Sequence, residues 1–230
     1  MIDWHSHILP AMDDGARTPA ESRALLEQLA LQGVDTAAAT PHFYANRESP
    51  AQFLARRRRA LDALQQEMGA DGPRILPGAE VRYYPGIARL DGLDALRIEG
   101  TRVLLLEMPE NRWPDSTVQE LLRLSGMRRL RIVLAHVERY RALQSPEVWP
   151  VLLDSGIRMQ VNADYFLSWK TRRRALSALD RGEIHFLGSD CHNLTARPPR
   201  LGEARSCIVK RLGADFFAQM DGYGYAMLSV

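Results

Sequence analysis

The 230-residue sequence is poor in the features that decide a protein's class at first reading. Its two cysteines, Cys191 and Cys207, exclude a disulfide framework. No apolar run approaches the ~20 residues of a membrane span. The opening residues Met1-Ile2-Asp3-Trp4-His5 lack the basic stretch and apolar run of a signal peptide. A cytoplasmic location without membrane insertion is therefore expected. The net charge is only +2, so no basic field calls for nucleic acid or an anionic membrane surface. Lysine is almost missing: Lys170 and Lys210 stand alone among arginines. Arginine suits bidentate phosphate binding, but an excess spread over the whole chain points to no one site. With 46 % hydrophobic and 25 % charged residues, the composition is that of an ordinary globular protein. No internal repeat, low-complexity segment or linker divides it, and a single domain over residues 1–230 is expected.

Short apolar runs alternate with longer amphipathic segments. Strands are expected over residues 1–5, 35–39, 74–77, 102–106, 131–135, 157–161 and 184–187. Helices are expected over 18–32, 50–69, 115–125, 146–155, 166–181 and 201–212. Thr18 followed by Glu21 has the spacing of a capping box. Residues 216–230 show no pattern that assigns them to an element. Repeated strand–helix alternation predicts parallel strands with crossover helices, as a barrel or as an open doubly wound sheet.

In such α/β folds the C-terminal ends of the strands share one face, where active sites are built. The polar residues fall there. His5 and His7 close the first strand, His42 follows the second, Glu80 the third, Glu107 the fourth and His136 the fifth. Asp190 and His192 follow the last. Residues two apart in an extended chain point the same way, so His5 with His7, and Asp190 with His192, can each grip one ion. With Asp14 these make a set of imidazoles and carboxylates suited to manganese, iron or zinc. Nine candidate ligands exceed the needs of one tetrahedral ion, so two or three ions sharing bridging carboxylates are expected, with Glu80 and Glu107 as the bridges. His185, alternating with apolar residues, reads as a packed histidine.

The motifs that carry these residues resemble a known superfamily. Met1-Ile2-Asp3-Trp4-His5-Ser6-His7-Ile8-Leu9-Pro10, running into Asp13-Asp14-Gly15, is similar to the opening of the polymerase-and-histidinol-phosphatase (PHP) superfamily. The double Asp-Gly resembles its capsule-type bacterial tyrosine phosphatases. Ala39-Thr40-Pro41-His42-Phe43, Gly78-Ala79-Glu80-Val81-Arg82, Leu134-Ala135-His136-Val137-Glu138-Arg139-Tyr140 and Gly188-Ser189-Asp190-Cys191-His192-Asn193 follow in that subgroup's order. The resemblance implies an α/β fold, a distorted seven-stranded (β/α)7 TIM-like barrel, and a three-metal site, with manganese foremost. It implies that His5, His7, Glu80 and Asp190 hold one ion, Glu80, Glu107 and His136 a second, and Asp14, His42 and His192 a third. Arg139 and Arg197 fall where the subgroup places phosphate-gripping arginines.

The implied reaction is hydrolysis of phosphotyrosine in a protein, the autophosphorylated tail of a tyrosine kinase of exopolysaccharide or capsule export. A metal-bridging water, its pKa lowered toward ~7, attacks in line, and Asp14 or His42 helps protonate the leaving oxygen. The alternatives are a small-molecule phosphatase, such as one for histidinol phosphate, and a metal-bound regulatory protein without turnover. A monomer or small homo-oligomer is expected. A rival mechanism rests on Cys191 and Arg197, which have the C-x5-R spacing of cysteine-dependent tyrosine phosphatases; against it, His-Asn-Leu-Thr-Ala between them is not glycine-rich. Arg56-Arg57-Arg58-Arg59 reads as a solvated helix surface, or else a docking patch for an acidic tail. Trp113-Pro114 and Tyr83-Tyr84-Pro85 line an aromatic substrate pocket or pack on the barrel rim.

Overall fold

In a computed structural model, which describes residues 1–68, 72–127 and 129–229, the alternation becomes a curled parallel sheet flanked by helices. Gly69, the last residue of the expected helix 50–69, and Val230 lie outside the described residues.

Nine strand segments run β1 (Ile2–Ser6), β2 (Thr36–Ala39), β3 (His42–Phe43), β4 (Arg74–Pro77), β5 (Glu80–Arg82), β6 (Val103–Glu107), β7 (Arg131–Leu134), β8 (Arg158–Asn162) and β9 (Phe186–Gly188). They pair in the orders β1-β2-β4 and β3-β5-β6-β7-β8-β9, every pairing parallel. Two expected strands gain a further segment: β2 is followed by β3 past Thr40-Pro41, and β4 by β5 past Gly78-Ala79. Gly78 N and Glu80 N still donate to Ala39 O and Pro41 O, carrying the register across both breaks. At the other margin Asp190 N donates to His5 O at 2.7 Å and His7 N to Cys191 O at 3.0 Å, tying the exit of β9 to that of β1.

The helices are α1 (Pro19–Leu31), α2 (Pro50–Met68), α3 (Asp115–Ser125), α4 (Val148–Asp154), α5 (Asp164–Leu167), α6 (Arg172–Asp180), α7 (Leu201–Leu212) and α8 (Ala214–Leu228). Thr18 caps α1 by accepting from Glu21 N, and Glu21 reaches back to Arg17 N rather than to Thr18 itself. The expected helix 166–181 is two helices: Ser168 at ψ 131° leaves the helical region, and Thr171 and Arg172 bond back to restart it. α8 comes from the stretch without a pattern, where Gly222 and Gly224 interrupt the apolar rhythm. Gly224 lies against Ile2 and Trp4, and Tyr223 stacks on Phe186 with ring centroids 5.7 Å apart.

Two apolar clusters hold the sheet. Alternate strand residues on one face, among them Ile2, Val103, Leu105, Val133 and Phe186, pack together with Met227 and Leu228 of α8. The opposite face meets the helices through Leu25, Leu29, Leu104, Leu134 and Ile208, among others. Burial of this kind contributes about 25 cal/mol per Å² of apolar surface.

The arginine run on α2 is only partly a solvated surface. Arg57 is buried and donates to Gly78 O at 2.9 Å, satisfying a carbonyl at the β4–β5 break, while Arg56 reaches Met12 O. Neither is free to dock a partner. His185 lies just before β9, where its Nδ1 accepts from Met159 N, and burial with Arg158 nearby lowers its pKa to about 4.

Candidate active site

The strand ends bring the nine candidate ligands together. His5 Nε2 lies 3.3 Å from Glu80 Oε2 and 3.7 Å from Asp190 Oδ1, and His7 Nε2 lies 3.4 Å and 3.3 Å from the same atoms. His136 Nε2 lies 2.7 Å from Glu80 Oε1 and 3.6 Å from Glu107 Oε1. Asp14 Oδ1 lies 3.6 Å from His42 Nε2 and 3.4 Å from His192 Nε2. Among the described residues four overlapping groups of donor atoms emerge: His7-Asp14-His42-His192, His5-His7-Asp190, His5-Glu80-His136 and His42-Glu80-Glu107. Glu80 belongs to two of them and is buried at the centre.

Divalent ions fit this donor set. His42 Nδ1 and Glu80 Oε2 lie 2.8 Å apart, yet neither is in hydrogen-bonding geometry with any partner. His136 Nδ1 and His192 Nε2 are likewise buried without a partner. Buried polar atoms left this way are costly, whereas convergent lone pairs are what a cation requires. The electrostatics agree. Burial opposes charge on His5 and His7, but Glu80 and Asp190 around His5, and Asp13 with Asp190 around His7, raise both pKa values. Burial likewise opposes ionised Glu80, yet His5, His136 and His42 hold its carboxyl well below the usual range. Negative charge is in excess here and draws positive charge to it.

Side chains around the ligands fix their orientation, and the sequence reading missed most of them. Asp13 Oδ2 accepts from His7 Nδ1 at 2.7 Å and from His42 N at 2.8 Å, and its Oδ1 accepts from Gly15 N at 2.9 Å. The His7 Nε2 lone pair is thereby turned inward. Gln160 Oε1 contacts His5 Nδ1 at 3.3 Å and accepts from His136 N at 2.8 Å. Asn162 Nδ2 donates to Asp190 Oδ2 at 2.7 Å, and Arg82 pairs with Glu107 at 2.9 Å. Asp13 and Arg82 stand inside the motifs quoted above; Gln160 and Asn162, polar residues on either side of Val161, were the available signal for the other two.

The backbone explains two further motif residues. A Cβ on Gly15 would come within 2.6 Å of His7 Cβ, and one on Gly188 within 2.6 Å of His5 Cβ. Among the described residues only Ala11, His136 and Asp190 are non-glycines at positive φ, His136 at 32° and Asp190 at 50°. Two candidate ligands thus hold sparsely populated conformations, which persist where the surroundings over-determine them.

Arg139 and Arg197 stand at the mouth. Arg139 Nη2 lies 2.6 Å from Asp190 Oδ2, Arg197 Nη2 lies 2.9 Å from Asp190 Oδ1, and the two side chains remain 32 % and 40 % exposed. Cys191 is fully buried, and burial, with Asp3 adding to it, pushes its thiol up to about 12. That is the opposite of the depressed value a thiolate nucleophile needs. Of the loop aromatics, Trp113 packs beside Tyr140 and Trp149, and the buried Tyr83 bonds Glu120; Tyr84 is half-buried beside an open cleft.

Known proteins resemble this chain along nearly its whole length. The chain is 33 % identical over 227 residues to the tyrosine-protein phosphatase CpsB of Streptococcus pneumoniae, covering 93 % of this chain and 92 % of that one. It is 32 % identical over 228 residues to the tyrosine-protein phosphatase YwqE of Bacillus subtilis, covering 94 % and 86 %. Among solved structures it matches, at a TM-score of 0.84 and 27 % identity, one from a study of YwqE and CpsB described as unique metal-dependent tyrosine phosphatases, over 99 % of this chain and 94 % of that one. The family model for capsular polysaccharide synthesis, CpsB/CapC, matches residues 1–222, and the chain belongs to that family.

Proposed function

We propose that this protein is a metal-dependent phosphatase that hydrolyses phosphotyrosine in proteins, with the tail of an autophosphorylated tyrosine kinase of capsule or exopolysaccharide export as its substrate. The observation that carries this reading is the convergence of imidazole and carboxylate donors on Glu80, with buried lone pairs that lack hydrogen-bond partners. The relatives' activity supports the phosphotyrosine assignment.

Within this reading the chain is one domain over residues 1–230. Its strand segments are seven passes of a distorted barrel, which the bonds between the exits of β9 and β1 support. His5, His7, Glu80 and Asp190 would hold one ion, Glu80, Glu107 and His136 a second, and Asp14, His42 and His192 a third, with manganese the metal. Ions held there lower the pKa of a water and neutralise charge on the phosphoryl oxygens. The chain's own residues do the rest. Arg139 and Arg197 bind the phosphoryl oxygens and stabilise the charge developing in the transition state. Asp13 and Gln160 hold His7 and His5 with their Nε2 atoms inward. Asp14 or His42 helps protonate the leaving oxygen, and a phenolate needs little such help. The protein works in the cytoplasm as a monomer or small homo-oligomer.

Hydrolysis of p-nitrophenyl phosphate by the manganese-loaded protein tests the chemistry. It is expected to stop on adding a chelator and to persist in Cys191→Ser. Activity that survives the chelator but disappears in Cys191→Ser would overturn the metal reading.

A further inference from the structure

A cleft of about 760 Å³ opens beside the candidate ligands, lined by Tyr44, Asn46, Arg82, Tyr84 and Leu90 among others. Two of its lining residues touch candidate ligands. The Tyr44 ring lies 5.4 Å from the His42 ring between centroids, and Arg82 pairs with Glu107 at 2.9 Å. A larger cavity of about 1030 Å³ is lined by residues of α1, α7 and α8.

The walls of the smaller cleft are built rather than loose. Glu120 on α3 accepts from Tyr83 Oη at 2.9 Å, Gly86 N at 3.0 Å and Ala88 N at 3.2 Å. One carboxylate thus pins the loop that carries Tyr84 on one side and Leu90 on the other. Gly86 turns that loop at φ 94°, a conformation glycine adopts without strain. The opposite wall is fixed by Arg47, whose guanidinium sits 4.4 Å from the centre of the Tyr44 ring. Two tyrosines and a leucine therefore line a space whose Tyr44 and Arg82 neighbour His42 and Glu107.

We propose that this cleft receives the aryl ring of the leaving group, and that Tyr84 makes the site select aryl over alkyl phosphomonoesters. The inference rests on the phosphatase reading above and deepens it. A phosphoryl group held between His42, Glu107 and the arginines leaves its ester oxygen pointing toward either the solvent or the cleft. The cleft offers it the rings of Tyr44 and Tyr84 and the side chain of Leu90. Rings pack favourably with centroids about 4.5–7 Å apart, in offset or edge-on contact, and an aryl ester at His42 falls within such reach of the tyrosine walls. An alkyl ester has no flat face to match them. Arg82 acts as a positioning residue: it fixes Glu107 at the inner end and does not itself hold the ring.

Calorimetric binding of phenylphosphonate and methylphosphonate to the manganese-loaded protein tests this without relying on turnover. The native protein is expected to prefer phenylphosphonate. Tyr84→Ala is expected to reduce that preference about tenfold, and Tyr84→Phe to keep it; Leu90→Ala, on the same wall, is expected to reduce it in the same sense. The assignment is overturned if Tyr84→Ala leaves the ratio of the two affinities as in the native protein, or weakens both ligands equally. Hydrolysis of p-nitrophenyl phosphate separates the two failures. Turnover with an unaltered ratio sinks the cleft alone, whereas neither binding nor turnover sinks the phosphatase reading and the cleft with it.

Discussion

Replacing Asp13 by asparagine changes one oxygen to an NH2 group at the point where three N–H donors converge. Oδ2 serves His7 Nδ1 and His42 N, and Oδ1 serves Gly15 N. Whichever way the amide is placed, its NH2 faces at least one of those donors. The donor left without an acceptor costs about 1–3 kcal/mol. Loss of the carboxylate also removes the charge that fixes the His7 tautomer with Nε2 toward Glu80 and Asp190. Residues that orient ligands in this way typically account for about 10–100-fold in metal affinity or activity. Titration of the metal-free protein with manganese should therefore show affinity weakened by about that factor. The rate at saturating metal should stay within a few-fold of the native value, because Asp13 is not itself a ligand. Affinity equal to that of the native protein would refute the reasoning, since the short His7–Asp13 contact would then not be what orients the imidazole.

Gly15→Ala should weaken metal binding in the same titration, because its Cβ would lie 2.6 Å from His7 Cβ and push that ligand aside; unaltered binding would mean the loop relaxes freely. Arg139→Ala should lower kcat/KM for an aryl phosphate by about 10²–10³-fold, and Arg139→Lys should not restore it, since a point charge lacks the planar fork. A pH series of urea denaturation curves tests His185. Its folded pKa, about 4, lies below the unfolded value of about 6.5. The unfolded chain therefore takes up the proton first as pH falls. The neutral ring's contribution is complete above pH ~6.5 and is lost down to pH ~4, at most roughly 3 kcal/mol. In His185→Asn that part of the pH dependence should disappear; parallel profiles for the two proteins would contradict it.

The sequence made the convergence of the site legible because two simple rules sufficed. Strand exits of a parallel sheet share a face, and residues two apart share a side, so His5, His7, Glu80, Glu107, His136, Asp190 and His192 were bound to meet. What escaped depends on tertiary contact. Gln160 carries no mark in the sequence of the two histidines it touches, and the role of Asp13 appears only once His7 and His42 are folded beside it. The short segments β3 and β5, which extend the sheet past Pro41 and Gly78, are too brief to show a pattern of their own. The final helix was hidden for a different reason. Gly222 and Gly224 interrupt its periodicity, and Gly224 is small because Trp4 lies against it. Arg57, read as part of a solvated run, is buried because the break after β4 leaves the Gly78 carbonyl in need of a donor.

The proposed activity is hydrolysis of phosphotyrosine by a metal cluster at the strand exits. Its most direct test compares kcat/KM of the manganese-loaded protein on a phosphotyrosine peptide, a phosphoserine peptide and histidinol phosphate, each with and without a chelator. The phosphotyrosine peptide is predicted to be the best substrate, with its hydrolysis abolished by the chelator and restored by manganese. A clear preference for histidinol phosphate, or phosphotyrosine hydrolysis indifferent to the chelator, would contradict the account.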